Sequence, residues 1–417
     1  MVISFNTGKV ETTGGSGTGL LQQKKVTVTE NGLDVVVPDA GYDGLSTVYV
    51  KTYVSNDSGM KDFSVLGYDE ELNILLNEGI DADIAYSKKF LDNWKIPNSA
   101  PNIYNNQDIV YCPVINLQDS SYGWLTFTIE QCKNLEIIPD LDLQGLSSFE
   151  LKNLPALSHI GISNWKMYDR TNVVKFYLCN KLKTLDLSTL NTTNITNMSE
   201  MFYGCYLLTD IKGIEEWDVS NVTNMSKMFY NCYVLPSIDF GSWNTSNVTN
   251  MYRMFYGCSG ITSLDLSSWD VSNVTDMSDM FNGCSGITSL DLSSWDVTKV
   301  NIFTNMFSYC KSLKDLDISG WNMGLVKDGY YLPSFSNSSN LENLIFGFDR
   351  KVNISFSQNP KLTLDSLLSI INGLYDFVGN SMTPTSTQGK LTLGSTNLAK
   401  LTDEQKAIAT AKGWTLA

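Results

Sequence analysis

The apolar positions between residues 179 and 310 recur with a fixed step. The stretch that starts at Cys258 reads CSGITSLDLSSWDVSNVTDMSDMFNG, and the one that starts at Cys284 reads CSGITSLDLSSWDVTKVNIFTNMFSY. Within the first, Ile261, Leu264 and Leu266 give L-x-x-L-x-L, a spacing that predicts a short β-strand. Trp269 and Val271 follow round a corner. Val274, Met277, Met280 and Phe281 then recur every three or four residues, which predicts a short helical or 3₁₀ return segment. Each apolar side chain is expected to point inward and stack on its counterpart in the next coil. One such coil cannot bury its apolar side alone, so the pattern predicts a repeat solenoid stabilised by nearest neighbours.

Two residue types sharpen the register. Cys179, Cys205, Cys232, Cys258, Cys284 and Cys310 follow one another at 26 or 27 residues. Trp217, Trp243, Trp269, Trp295 and Trp321 keep a step of 26, with Trp165 two steps earlier. One thiol per step, with no C-x-x-C pair, is a structural ladder of buried, reduced cysteines rather than a disulfide framework or a zinc site. Weaker rungs at Cys112, Cys132, Leu154 and Ser338 extend the array. About ten rungs at roughly 4.8 Å per stacked strand give a length of about 45 Å. Asn194, Asn221, Asn247 and Asn273 form a further ladder, each in an N-x-T frame. Their amides are expected to bond backbone groups at a tight corner, with glycosylation as the alternative.

The unit resembles the BspA-like leucine-rich repeat, the 26-residue repeat of bacterial surface proteins. LDLSSWDVSNVTDMSDMFNGC at 264–284 and its neighbours carry the resemblance, which covers roughly residues 110–346. Members of that family are mostly adhesins and host- or matrix-binding proteins, so the resemblance implies binding and brings no catalytic residues. The flanks point to a setting. KKVTVTENGLDVVVPDAGYDGLSTVYVKTYV at 24–54 is similar to a small β module of structural proteins of gut bacteriophages, including crAss-like phages. Residues 62–94 and the ending LTLGSTNLAKLTDEQKAIATAKGWTLA are similar to segments that flank such repeats there. These resemblances imply a surface-exposed virion protein, a tail or head fibre. A bacterial cell-surface adhesin is the alternative.

The expected organisation has five parts. Residues 1–22, with TTGGSGTG, are a flexible docking arm. Residues 23–55 are a small β module, with Asn31-Gly32 as a hairpin turn and a third strand at Val48 and Val50. Residues 56–110 are a helical connector and N-terminal cap, 111–346 the solenoid, and 347–417 a C-terminal cap. In that cap, Leu364, Leu367, Leu368, Ile371 and Leu374 mark one helix. Thr402 to Gln405 is a capping box for the last helix, and Trp414-Thr-Leu a closing strand.

Composition then removes function classes. The net charge is −15, from 29 basic and 44 acidic residues, which disfavours nucleic acid and anionic membrane surfaces. The sole histidine is His159, and the arginines are Arg170, Arg253 and Arg350. A multi-histidine metal site is therefore excluded, and general-base chemistry near neutrality has few candidates. The start, MVISFNTGKVETTGG, lacks a basic stretch followed by an apolar one, so no secretory signal is expected. No apolar run is long enough to span a membrane.

The candidate sites are surface rows. Asp186, Asp239, Asp265, Asp291 and Asp317, with Lys212 in the same row, alternate out of the strand. Stacked carboxylates repel, so the row suits either Ca²⁺ or a cationic partner, or else is a solvated face. Tyr203, Tyr230 and Tyr256, with Tyr206, Tyr233 and Tyr252, flank the cysteine ladder and suit binding to a protein or glycan. The tryptophan ladder reads as a sugar-stacking platform or as a packed corner. No nucleophile elbow, P-loop, dinucleotide fingerprint or metal motif is present. No catalytic residue or cofactor is therefore assigned. A glycosidase built from two repeat aspartates is the enzyme alternative. The expected partners are other virion proteins through residues 1–54 and a bacterial surface glycan or protein, with a homo-oligomer as a further candidate.

Overall fold

In a computed structural model, the structure describes residues 23–28, 33–38, 102–104, 125–135, 137–138, 146–160, 173–241, 243–321, 333–346, 353–386 and 388–417. The chain divides into two compact units, Met1–Asn191 and Thr192–Ala417.

The first unit contains a hairpin of β1 (Gln23–Val28) and β2 (Leu33–Pro38), antiparallel, with Val26 opposite Val35 and Val28 opposite Leu33. These are the two strands expected on either side of Asn31-Gly32, a turn that itself lies outside the described residues. The arm at 1–22, the strand at Val48 and Val50, the helices at 62–95 and the rungs at Cys112 and Trp165 lie outside the described residues. The unit continues with β3 (Asn102–Tyr104), β4 (Leu125–Glu130), β5 (Ile137–Ile138), β6 (Leu146–Lys152), β7 (His159–Ile160), β8 (Val173–Tyr177) and β9 (Thr184–Asp186). Strands β3, β4, β6 and β8 form one parallel sheet in that order, and β5 pairs β7.

Alternation explains this sheet. Phe127 and Ile129 of β4, Phe149 and Leu151 of β6, and Val174 and Phe176 of β8 are buried, and Phe127 stacks on Phe149 at 5.4 Å. Each strand runs into a residue with positive φ, Gln131, Asn153 or Leu178. The rung residue Cys132, Leu154 or Cys179 follows at once. The strand expected after each rung is only two residues long at β5 and β7. The main sheet of this unit lies before the rung, because LTFTIE, LSSFELK and VVKFY alternate over longer spans. His159 sits in β7, and burial pushes its pKa down to about 4.

The second unit is a parallel solenoid with little helix. It holds β10 (Asp210–Lys212), β11 (Ser289–Asp291), β12 (Asp315–Ile318), β13 (Asn343–Phe346), β14 (Ile354–Ser355), β15 (Lys390–Thr392) and β16 (Thr415–Leu416). Strands β11, β12 and β13 pair in parallel, which places Leu290, Leu316 and Leu344 opposite one another on the L-x-x-L-x-L positions. Three helices, α1 (Leu364–Asn372), α2 (Gly394–Leu398) and α3 (Asp403–Ala411), belong to the C-terminal end.

The expected helical return is not formed. Among the described residues, the only 3₁₀ helix, Ile214–Glu216, lies elsewhere in the coil. The return is a run of tight turns tied to the next coil. The amides of Met251, Arg253, Phe255 and Gly257 donate to the carbonyls of Asp276, Ser278, Met280 and Asn282 at 2.7–3.0 Å. The amides between them close local turns, Met254 to Met251 and Tyr256 to Arg253. Glu200, Lys227, Arg253, Asp279 and Asn305 all adopt positive φ in one column, which stops a right-handed helix from propagating. That conformation costs about 1–2 kcal/mol per residue, and the axial hydrogen bonds offset it.

The C-terminal end closes as the sequence suggests. Thr363 caps α1, and Thr402 with Gln405 forms a reciprocal capping box on α3. The Lys412 ammonium donates to the carbonyls of Asn372 and Leu374, at and just beyond the end of α1. Strand β16 pairs with β15, and β15 with β14, in parallel.

Candidate binding surface

The interior columns set which residues remain outside. Trp243, Trp295 and Trp321 are almost fully buried, and Trp217 and Trp269 nearly so. Trp243 stacks at 6.1 Å on both Trp217 and Trp269, and Trp295 at 6.4 Å on Trp321. The indole N–H groups of Trp243, Trp295 and Trp321 donate across coils, to the carbonyls of Ile214, Leu266 and Leu292, at 2.9–3.1 Å. These five tryptophans thus form a packed corner, with no ring face among them open to a sugar. A phenylalanine column runs beside it, from Phe202 through Phe229, Phe255, Phe281, Phe307 and Phe335 to Phe356.

The seven described cysteines are buried thiols outside any disulfide. In the second unit the thiols of Cys232, Cys258, Cys284 and Cys310 donate to the carbonyls of Phe202, Phe229, Phe255 and Phe281 at 2.9–3.1 Å. Ser338 stands on the following rung and donates to the Phe307 carbonyl at 2.6 Å. Burial pushes the Cys310 thiol up to about 12 and raises Cys232, Cys258 and Cys284 as well. A neutral buried thiol is a donor here, not a nucleophile.

The aspartate row has a local duty. Asp186, Asp265 and Asp291 each accept from the amide and the hydroxyl of the serine two residues on. Asp239 accepts from the Gly241 amide, and Asp317 from the Ser319 amide. These are Asx turns that hold a corner. The Ser267 and Ser293 donors hold the Asp265 and Asp291 carboxyls below the usual range. Among the described residues, no three His, Cys, Asp or Glu side chains gather as a metal ion would need. Three of the four expected asparagine rungs bond to the backbone of the preceding coil. Asn221, Asn247 and Asn273 donate their side-chain amides to the carbonyls of Thr193, Ser220 and Ser246 at 2.7–2.8 Å.

Among the described residues, the tyrosines form a surface cluster that the repeat does not require. Tyr203 stacks on Tyr230 at 4.5 Å, Tyr230 on Tyr256 at 4.7 Å, and Tyr206 on Tyr233 at 5.1 Å. Burial, together with Tyr203 and Tyr256, pushes the Tyr230 phenol above its usual range. Leu207 and Val234, next to Tyr206 and Tyr233, are about 40% exposed, at 40% and 42%. In later coils the same register holds Asn282 and Ser308 in place of Tyr256, Ser259 and Ser285 in place of Tyr233, and Gly260 and Gly286 in place of Val234. Gly260 has little freedom to change, since a Cβ there would come within 2.8 Å of the Leu235 carbonyl.

Charged residues frame the cluster in the positive-φ column. Lys227 pairs with Glu200 at 3.2 Å, and the Arg253 Nε donates to Asp279 at 3.1 Å. The Arg253 guanidinium lies 4.8 Å from the Tyr252 ring and 5.3 Å from the Tyr256 ring. Sequence reading named the tyrosines but missed Leu207, Val234, Arg253 and Asp279. Comparison of CYLL at 205 and CYVL at 232 with CSGI at 258 carried the signal for the first two. The Arg253–Asp279 pair spans one coil and is visible only once the coils stack.

Buried columns stacked coil on coil define a repeat solenoid. Residues 170–264 and 237–348 match the family described as "Mycoplasma protein of unknown function, DUF285". The match and the stacked coils fit a BspA-like repeat protein. No curated protein matches the chain.

Proposed function

We propose that the protein is a surface-recognition component that binds through the outer face of coils 200–260. The observation that carries this is the Tyr206, Leu207, Tyr233 and Val234 cluster, set in a register that the next two coils fill with serine and glycine. Tyrosines with exposed aliphatics make good contact surfaces because they bury much area at little entropic cost. The setting we favour is a phage virion fibre that docks through residues 1–54 and meets a bacterial surface glycan or protein. The similarity of the flanks to gut-phage structural proteins supports that setting. Copies on one particle would add avidity to individually weak contacts.

The test uses the repeat's own alternatives. The variant Tyr206→Ser, Leu207→Gly, Tyr233→Ser, Val234→Gly carries later-coil residues on the earlier coils. It is expected to keep its far-ultraviolet circular dichroism and to lose at least tenfold in binding to host cells. Undiminished binding by the folded variant would remove the proposal. The virion setting is tested separately, by whether protein lacking residues 1–54 still assembles onto particles.

A further inference from the structure

We infer that Arg253 is a pre-organised carboxylate receptor for an acidic, apolar polypeptide segment, which deepens and rests on the recognition reading above. Arginine is scarce in this chain, yet this one is fixed on three sides. Its Nε is held by Asp279, whose side chain is only 10% exposed. The second Asp279 oxygen is itself fixed, accepting from the Asn282 side-chain amide at 2.8 Å. The rings of Tyr252 and Tyr256 flank the guanidinium. The Nη groups make no hydrogen bond to the described residues, and the side chain is 34% exposed.

Such an arrangement leaves a planar fork of donors aimed away from its anchor. A carboxylate matches that fork with two parallel hydrogen bonds, and the ordering cost is already met by Asp279 and the tyrosines. Lys227, in the same column one coil earlier, has its ammonium on Glu200 and offers no fork. The neighbouring surface decides what bears the carboxylate. The tyrosine faces are stacked on one another at 4.5–5.1 Å, so few ring faces are free for sugars. Leu207 and Val234 instead offer exposed aliphatic surface, which suits the side chains of a polypeptide.

The full-length chain permits a direct readout. With only Arg170, Arg253 and Arg350, the ¹⁵N guanidinium spectrum contains three side chains. The probes are an acetylated Leu-Glu-Leu amide, its Leu-Gln-Leu counterpart, and glucuronate. The glutamate peptide is expected to shift the Arg253 signals saturably and to bind at least tenfold more tightly than the other two. Arg253→Lys is expected to abolish that preference. It should fold, because Lys227 already occupies this column with φ 55°. Equal binding of the glutamine peptide, or an unchanged preference in Arg253→Lys, would overturn the carboxylate assignment. Tighter binding of glucuronate would overturn the polypeptide assignment in favour of an acidic glycan. If Arg253→Lys binds host cells normally while the serine–glycine variant does not, this inference fails and the recognition reading stands. If both bind normally, both fail.

Discussion

Coils in the two units turn the same corner by different routes. In the first unit, β4, β6 and β8 approach the rung as true strands of 6, 7 and 5 residues, and the rungs at 132, 154 and 179 are unevenly spaced. In the second, the approach is a chain of turns with axial hydrogen bonds, and the spacing is nearly constant. Both deliver a buried phenylalanine and a positive-φ residue ahead of the rung. What the coil keeps constant is therefore its column of side chains and its corner, while the backbone between them is negotiable. A strand tolerates variable length because its ladder can start anywhere. The turn chain does not, because each axial bond needs its own partner one coil on.

Removing a ring from each column tests that view most severely. Phe255 lies against Phe229 and Phe281, and Phe149 against Phe127 and Phe176. Phe255→Ala and Phe149→Ala are each expected to cost about 3–5 kcal/mol, read from denaturant unfolding followed by segment-resolved hydrogen exchange. A much larger loss for Phe149 would mean that the strand backbone, not the column, dominates the first unit.

Acid separates the two units next. The folded pKa of His159 is depressed from 6.5 to about 4, so the unfolded chain binds the extra proton first. Its contribution is complete above pH 6.5 and is lost as pH falls towards 4, by about 3 kcal/mol at most. Only the first unit has a histidine. Hydrogen exchange at pH 7 and pH 5 should show that unit loosening first, and His159→Gln should flatten the difference. In the second unit, serine and threonine donors depress the carboxyls of Asp218, Asp270, Asp291 and Asp296. That stabilisation is present above the unfolded carboxylate range and is lost only at more acid pH.

The smallest expected effect concerns the rung itself. Cys258→Ser keeps a second donor for the Phe229 carbonyl, as Ser338 does for Phe307, whereas Cys258→Ala leaves that carbonyl with the Cys232 amide alone. Serine should be less damaging by about 1 kcal/mol in the same unfolding assay. Equal losses would reduce the thiol to a space-filling role.

Much of this was legible in the sequence because side-chain columns repeat identities at a fixed step. Cysteine, tryptophan and leucine positions named the buried face, and Thr402 with Gln405 named a helix start. The return segment was misread because its apolar spacing at Val274, Met277 and Met280 equals that of a helix. What distinguishes it is left-handed backbone at Lys227, Arg253 and Asp279, and no glycine marks those positions. The candidate surface was half legible. Its tyrosines stand out from the repeat, but the setting of Arg253 depends on an aspartate 26 residues away.

The axial hydrogen bonds of the return segment also bear on inheritance. Residues 258–283 and 284–309 are so alike that misaligned recombination between their coding stretches would add or delete one whole coil. A duplicated coil would meet the same donors and acceptors on either side, so descendants of different length would each retain a closed bonding pattern. Reach could then change in quanta of one coil, while the tyrosine-bearing coils pass on unaltered.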